Sequence, residues 1–465
     1  MNTHPFRAPW LFSIAAVAVT MISGLRAESG PALPPLPEDL MPELKPILTA
    51  ALKQSPQMIT NDINLATAES IRIQWRAMLL PSVSGFVQDG KNKTAIASQT
   101  NVSSTSSGVY YSVNLSQPIF EFGARKARAD AGKINVMMAQ HQYADAYRLL
   151  LVNLRTQYLG LVTKKIVLRN AEYSLKQAEE ALALAEESLK AGRISPEAMM
   201  EPRLAVDEAR LGRDSALEDF ESSKRTFLLT AGQTGLENEA VSSEVPQPVY
   251  LPEVVERLLK DFLRTGAEGT YLSLFYRDNI KSANIDYRIA RVNLLPKVSF
   301  NYSYGQQNVT NASPGYISQV VINTQSYNLQ AIWSIFDGFS TRGQKLGAMS
   351  RKRSNERALR TAEDQAIEQA RDLAKQLNFG WRTVELRQTR WSVSNSTLQR
   401  LQDDLKLGRT SQTAVNSAQQ NVYSWDLNLS YARAAYLGCW ANFLSTLCAD
   451  PMLDLIPQKY VKDGK

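Results

Sequence analysis

Apolar positions follow two periods along the chain, and the change from one to the other divides it into elements. Leu161, Leu168, Leu175, Leu182 and Leu189 recur every seven residues, and Ala171, Ala178 and Ala185 form a second such row three positions after three of those leucines. A seven-residue apolar repeat keeps one seam facing a partner helix in a left-handed supercoil, and alanine in the seam lets backbones approach closely. The rows lie within Ala124–Ala191, a stretch of 68 residues with no proline and only two glycines, Gly132 and Gly160. An unbroken helix of that length would reach about 100 Å, well beyond the usual three or four turns. The pattern predicts one long coiled-coil helix, ended by the turn Gly192-Arg193-Ile194-Ser195.

Elsewhere the period is two. Val298, Phe300, Tyr302 and Tyr304 alternate with Lys297, Ser299, Asn301 and Ser303; Val109, Tyr111, Val113 and Leu115 alternate with Tyr110, Ser112, Asn114 and Ser116. Tyr327, Leu329, Ala331 and Trp333 are set against Ser326, Asn328 and Gln330, and a weaker strand runs from Ser82 to about Lys93. Alternation gives a strand one apolar and one polar face, which a soluble sandwich also shows. A Ser/Asn/Gln face opposite an aromatic one favours transmembrane strands, apolar towards lipid and polar towards the lumen. The connections Thr94–Ser107 and Asn308–Gln325 are expected to be loops at the barrel mouth. Four strands are too few to close a barrel, and an open edge in lipid leaves backbone groups unpaired, so such strands must be pooled with other copies of the chain.

The whole pattern occurs twice. An offset of 216 carries the leucine row onto Leu377, Val384, Trp391, Leu398 and Leu405, the glycine turn onto Gly408-Arg409-Thr410-Ser411, Ile119-Phe120 onto Ile335-Phe336, and Phe227-Leu228 onto Phe443-Leu444. Leu80-Pro81 maps onto Leu295-Pro296 at an offset of 215. A tandem internal repeat follows: residues 47–235 form repeat 1 (helix, strand pair, long helix, tip, return helix), 236–252 a linker, and 253–450 repeat 2 in the same order, before a tail at 451–465. The opening helix of each repeat, about Ile47–Leu79 and Leu272–Leu294, is ended by the following proline. Residues 1–27 read as an export signal, with Arg7 before an apolar core from Trp10 to Gly24 and cleavage expected after Ala27; no cysteine follows, so no lipid anchor is expected there. Residues 28–46, rich in proline, read as an extended lead-in.

Charge and composition then exclude more than they add. Removing Arg7 and Arg26 with the signal leaves 50 Lys and Arg against 45 Asp and Glu, a net excess of +5 that gives no reason to expect nucleic acid. No catalytic constellation, phosphate loop or metal-ligand cluster is seen, so neither an enzyme nor a cofactor is expected. The mature chain keeps one histidine, His141, read as structural. Cys439 and Cys448 are too far apart on one straight helix for a disulfide, and could meet only if the chain reverses sharply between them.

The duplicated order of elements carries a resemblance that covers essentially the mature sequence. The matching residues are Leu79-Leu80-Pro81 and Leu294-Leu295-Pro296 ahead of the strand pairs, Pro118-Ile119-Phe120 and Ser334-Ile335-Phe336-Asp337-Gly338 on the way into the long helices, and the two glycine turns. Together they resemble the TolC-like outer-membrane efflux protein family. The resemblance implies a mixed α and β membrane protein: a homotrimer whose 12-stranded transmembrane β-barrel, four strands per chain, continues into a long periplasmic α-helical coiled-coil barrel. It implies an outer-membrane exit duct of a Gram-negative bacterium, serving a tripartite efflux or type I secretion system. Such a duct passively takes cargo from an inner-membrane ABC or RND-type transporter through a periplasmic adaptor. The other class compatible with the residues is a periplasmic coiled-coil scaffold with soluble strands. Release only by detergent, rather than by osmotic shock, distinguishes the duct.

At the turns, Gly192 and Gly408 suit the left-handed conformation that ends helices. Ser195 is placed to cap the returning helix with Pro196 at its first position, and Ser411 is the expected cap in repeat 2. Taken alone these are ordinary helix-hairpin turns. The resemblance makes Gly192, Arg193, Ile194, Ser195, Gly408, Arg409, Thr410 and Ser411 the candidate adaptor-docking tips. Relatives carry an acidic constriction about two turns past the tip, where this chain offers only Glu201 among Ala198, Glu201, Ala414 and Ser417. Asp403 and Asp404, just before the second tip, are the alternative acids. Pro202 is a candidate kink.

Overall fold

The computed structural model describes residues 33–96, 102–313 and 316–457; the expected export signal lies outside them. The chain opens with two short helices, α1 (Pro37–Leu40) and α2 (Leu44–Gln54), and continues into α3 (Pro56–Ala77). Strands β1 (Ser82–Ile96) and β2 (Val102–Phe120) lead to α4 (Ala124–Lys190), which returns as α5 (Met200–Ala231). After α6 (Pro252–Thr265) the order recurs as α7 (Tyr271–Val292), β3 (Lys297–Ser313), β4 (Tyr316–Ile332), α8 (Ser340–Lys406) and α9 (Gln412–Thr446).

The two long helices are each 67 residues, with both their starts and their ends 216 positions apart. That length corresponds to about 100 Å. The heptad rows do pack: Leu161, Leu377, Val384 and Leu398 are buried, and the other row positions on both helices are half-buried. Near the second tip the seam closes as Leu398, Val415, Ala418 and Val422 pack together with Leu401 and Leu405.

Three expectations need correction. The opening helix of repeat 1 breaks at Ser55-Pro56, where Ser55 is extended and α3 restarts with proline at its first position. The strands run into most of the stretches Thr94–Ser107 and Asn308–Gln325 expected as loops, because the antiparallel ladder is held by backbone bonds that Ser, Thr and Asn serve as well as apolar residues do. The proline-rich lead-in is not an extended spacer from residue 33 onward. Leu36, Met41 and Leu44 are buried in it, and it packs around the middle of α4 and the C-terminal half of α9 with Val241, Val245, Met452 and Leu453. A waist forms there, at mid-height of the long helices.

Candidate functional site

The four strands form one antiparallel sheet in the order β1-β2-β3-β4, so β1 and β4 each have an unpaired outer edge. Direct partners in an antiparallel ladder share a face, and the register extends the two faces across all four strands. One row reads Val83, Leu115, Tyr302 and Tyr327; the next reads Ser82, Ser116, Asn301 and Asn328. The polar face is a hydrogen-bonded lattice. Ser116 Oγ donates to Asn301 Oδ1 at 2.7 Å, Asn301 Nδ2 donates to Asn328 Oδ1 at 3.3 Å, and the hydroxyls of Ser303 and Ser326 are 2.8 Å apart. Across the opposite face Val83, Val87, Tyr327 and Leu329 stand exposed, at 65%, 75%, 67% and 71%. An apolar sheet face left this bare is built to be covered by something apolar.

Where strands become helices, both junctions use two successive left-handed residues: Phe122 and Gly123 before α4, Gly338 and Phe339 before α8. A shift in register between Pro118 and Phe120 brings Phe120 opposite Val298, and so onto the apolar face. Phe120, Phe122, Trp333, Phe336 and Phe339 are all exposed at this rim, as in the aromatic girdles of membrane barrels. Polar contacts fasten the junctions. Arg125 donates to the carbonyls of Met78 and Pro118, and Trp333 Nε1 donates to Leu294 O at 2.9 Å. The Asp337 carboxylate accepts from Thr341 N at 2.8 Å, and the Thr341 side chain together with this backbone bond holds that carboxyl below its ordinary range.

At the far ends, Gly192 and Gly408 both have φ +67°. Gly192 N donates to Leu189 O and Arg193 N to Ser188 O; Gly408 N donates to Leu405 O and Arg409 N to Asp404 O. Each tip is thus a Schellman motif. Ser195 Oγ accepts from Ala198 N and Ser411 Oγ from Ala414 N, both at 3.3 Å. The exposure pattern matches as well: Gly192, Arg193 and Ser195 are exposed with Ile194 half-buried, and Gly408, Arg409 and Ser411 exposed with Thr410 half-buried. Pro202 makes no kink within α5. It falls in the first turn, after a 3-10 turn at Glu197–Met199, where a backbone N–H would have no intrahelical acceptor to lose. Glu201 is exposed there, while Asp403 pairs with Lys406 Nζ at 2.9 Å. Among the described residues no hydrogen bond joins Glu201 to either aspartate.

The waist holds a cluster that sequence reasoning missed. Arg155, fully buried in α4, donates to both carboxylate oxygens of Glu38 and of Asp450. Burial alone would favour the neutral guanidine, but the bonds to Asp450 and the charge of Glu38 more than offset it and hold the proton more tightly than usual. Its signal was an arginine inside the apolar run Leu150, Leu151, Leu154, Tyr158. His141 Nε2 lies 3.3 Å from Asp278 Oδ2 between α4 and α7, a structural pairing. Cys439 and Cys448 are both free thiols. Among the described residues no group of side chains could hold a metal ion, and no helix is long and apolar enough to cross a membrane.

The sequence matches the family described as outer membrane efflux protein over residues 47–217 and 277–445. By fold it is similar to the CmeC outer membrane channel of Campylobacter jejuni, at 14% identity, a TM-score of 0.66 and coverage of 89% of this chain and 87% of that one. It is likewise similar to the outer membrane protein VceC of Vibrio cholerae, at 14% identity, TM-score 0.65 and coverage of 89% and 99%. The open-state MtrE outer membrane channel of Neisseria gonorrhoeae gives 16% identity, TM-score 0.62 and coverage of 87% and 89%. A sequence comparison with curated proteins finds no match. With the family matched in both halves, around an amphipathic sheet and long helical hairpins, this chain belongs to the outer membrane efflux protein family and lies in the outer membrane with a large helical portion in the periplasm.

Proposed function

We propose that three copies of this chain close a 12-stranded barrel and a helical tunnel, forming the exit duct of a tripartite efflux or type I secretion system. The observation that carries this reading is the open sheet. Its two outer edges would leave backbone groups unpaired in lipid at several kcal/mol each, and pairing β4 of one copy with β1 of the next removes them. The apolar face then meets lipid and the Ser/Asn lattice lines the lumen. No catalytic chemistry is required of such a duct, which conducts passively.

The tips at Gly192–Ser195 and Gly408–Ser411 are proposed to dock a periplasmic adaptor, which links the duct to an ABC or RND-type inner-membrane transporter. Six arginines, Arg193 and Arg409 from each copy, would offer charge-assisted bonds there. Glu201, Asp403 and Asp404 are the acids available for a constriction behind the tips. The experiment is native mass determination in mild detergent with single-channel recording in planar bilayers. A trimer with a resolved conductance is expected; a folded monomer that inserts nothing would overturn the proposal.

A further inference from the structure

At the end of the helices nearest the sheet, a groove of about 750 Å³ runs between α4 and α7, within the size range of small-ligand sites. Arg288, Arg291 and Val292 line it from one face of α7, at helical spacing, with Leu295 just beyond that helix, and Lys126 and Asp130 line it from α4. Three cations therefore face one acid, and the Asp130 carboxylate lies beside Lys133, at 3.9 Å. Lys126, Arg288 and Arg291 are exposed and, among the described residues, have no ion-pair partner.

The position of the groove decides what it meets. Phe122 forms part of its wall, and the Phe122 ring packs edge-on against Phe120 at 4.6 Å. Phe120 shares the apolar face of the sheet with Val298. The groove is thus joined, through these two rings, to the apolar face at the aromatic rim. It also lies within one chain. The helices beneath the sheet neighbour one another in the order α3, α4, α7, α8, so it sits between the two inner helices, away from the flanks where another copy would pack.

We propose that this groove binds an anionic glycerophospholipid of the periplasm-facing leaflet. The phosphate would sit among Lys126, Arg288 and Arg291, and the acyl chains would run past Phe122 onto the apolar face of β2 and β3. Cations at a membrane surface attract anionic headgroups, guanidinium binds phosphate through paired hydrogen bonds, and long basic side chains reach naturally to the headgroup level. The proposal rests on the apolar face being the lipid-facing one.

The test reconstitutes the full-length protein into nanodiscs of phosphatidylethanolamine with a minority of phosphatidylglycerol, and reads retained lipid by native mass spectrometry. Wild type should retain phosphatidylglycerol above its share of the bilayer. K126Q/R288Q/R291Q should lower that retention about tenfold or more and leave phosphatidylethanolamine unchanged. K176Q/R210Q/K260Q, which removes the same charge elsewhere, should behave as wild type. Equal retention by the groove variant, or no enrichment in wild type, would overturn the proposal; wild-type enrichment is readable even if the triple variant does not assemble, and R291Q then serves in its place. Displacement of the lipid by inorganic phosphate in detergent would show a bare anion site and overturn the lipid assignment. Failure of wild type to enter nanodiscs at all would strike the lipid-facing reading itself, and this proposal with it.

Discussion

The guanidinium of Arg155, in the middle of α4, is held by the carboxylate of Asp450, 295 positions further along the chain. Glu38, from the first described helix, completes the cluster, so one buried cation ties the first and last described segments to the waist. All three side chains are almost wholly removed from solvent. Arg155→Met would strand two carboxylates without a counter-charge, and a buried pair broken on one side costs about 3–5 kcal/mol. The triple change Arg155→Met, Glu38→Met, Asp450→Asn removes the charges together and keeps an acceptor for Met452 N, which Asp450 now caps. Thermal unfolding in detergent should show the single variant falling further than the triple. Equal losses would mean that the cluster is screened by water.

The sheet makes a second prediction. Phe300 lies on the apolar face opposite Leu329, and Asn328 on the polar face opposite Asn301. Phe300→Arg should cost on the order of 2–4 kcal/mol if the residue sits near the bilayer centre, whereas Asn328→Arg should leave assembly intact and change only conductance. Matching losses of folded barrel in both variants, scored by heat-modifiable gel mobility, would reject the assignment of faces.

A third prediction concerns the thiols. Burial pushes Cys439 up to about 11 and raises Cys448 as well. Both should alkylate slowly at pH 8 in the folded protein, since the thiolate is the nucleophile. In denaturant, without reductant, both should be labelled. Mass spectrometry showing no label until reductant is added would reveal a disulfide instead.

The fourth is a pH dependence. Asp278 is buried, which alone would raise its pKa, but the His141 imidazole beside Oδ2 and the Lys281 ammonium, which donates to Oδ1 at 2.8 Å, more than reverse this and hold the carboxyl below its ordinary value. A depressed carboxylate stabilises the fold above the unfolded pKa of about 3.9, and that contribution is lost as pH falls through the folded value. Asp278→Asn should therefore be less stable than wild type at pH 6, with the gap closing in strong acid. A gap independent of pH would rule the carboxylate out as its source.

How much of this was legible in the sequence depended on whether a feature was periodic. The heptad row from Leu161 and the alternation at Val298–Tyr304 announced α4 and β3, because local period follows directly from helix and strand geometry. The upper strands look like loops in the sequence because Ser103–Ser107 and similar stretches carry no alternation, while their pairing is made by backbone. Glu38, Arg155 and Asp450 are joined only by tertiary packing, and a lone arginine among leucines was the one trace. The basic groove was hidden because Lys126 from α4 and Arg288 and Arg291 from α7 meet only through packing of helices far apart in sequence, while the chain as a whole is only mildly basic. The tip residues were placed correctly as turns, but a turn's geometry does not by itself name a partner.

The tips supply the last prediction. Gly408 has φ +67°, and a Cβ built there would meet nothing within 4 Å. Gly408→Leu would therefore add backbone strain of about 1–2 kcal/mol without clashing inside the chain. Set against hairpins about 100 Å long, packed through Leu398, Val415, Ala418 and Val422, that strain is too small and too terminal to prevent assembly. The new side chain would instead project from an exposed turn, where a partner's close approach is proposed. Arg193→Glu with Arg409→Glu reverses the tip charge without touching the Schellman bonds, which are made by backbone N–H groups. Both variants should insert and assemble at wild-type yield, while export and adaptor crosslinking fall together, measured in cells that carry the cognate transporter. Normal export by both would leave the tips as simple turns and put the adaptor contact elsewhere on the hairpins. Loss of assembly in the charge-reversal variant would show that the arginines serve the fold.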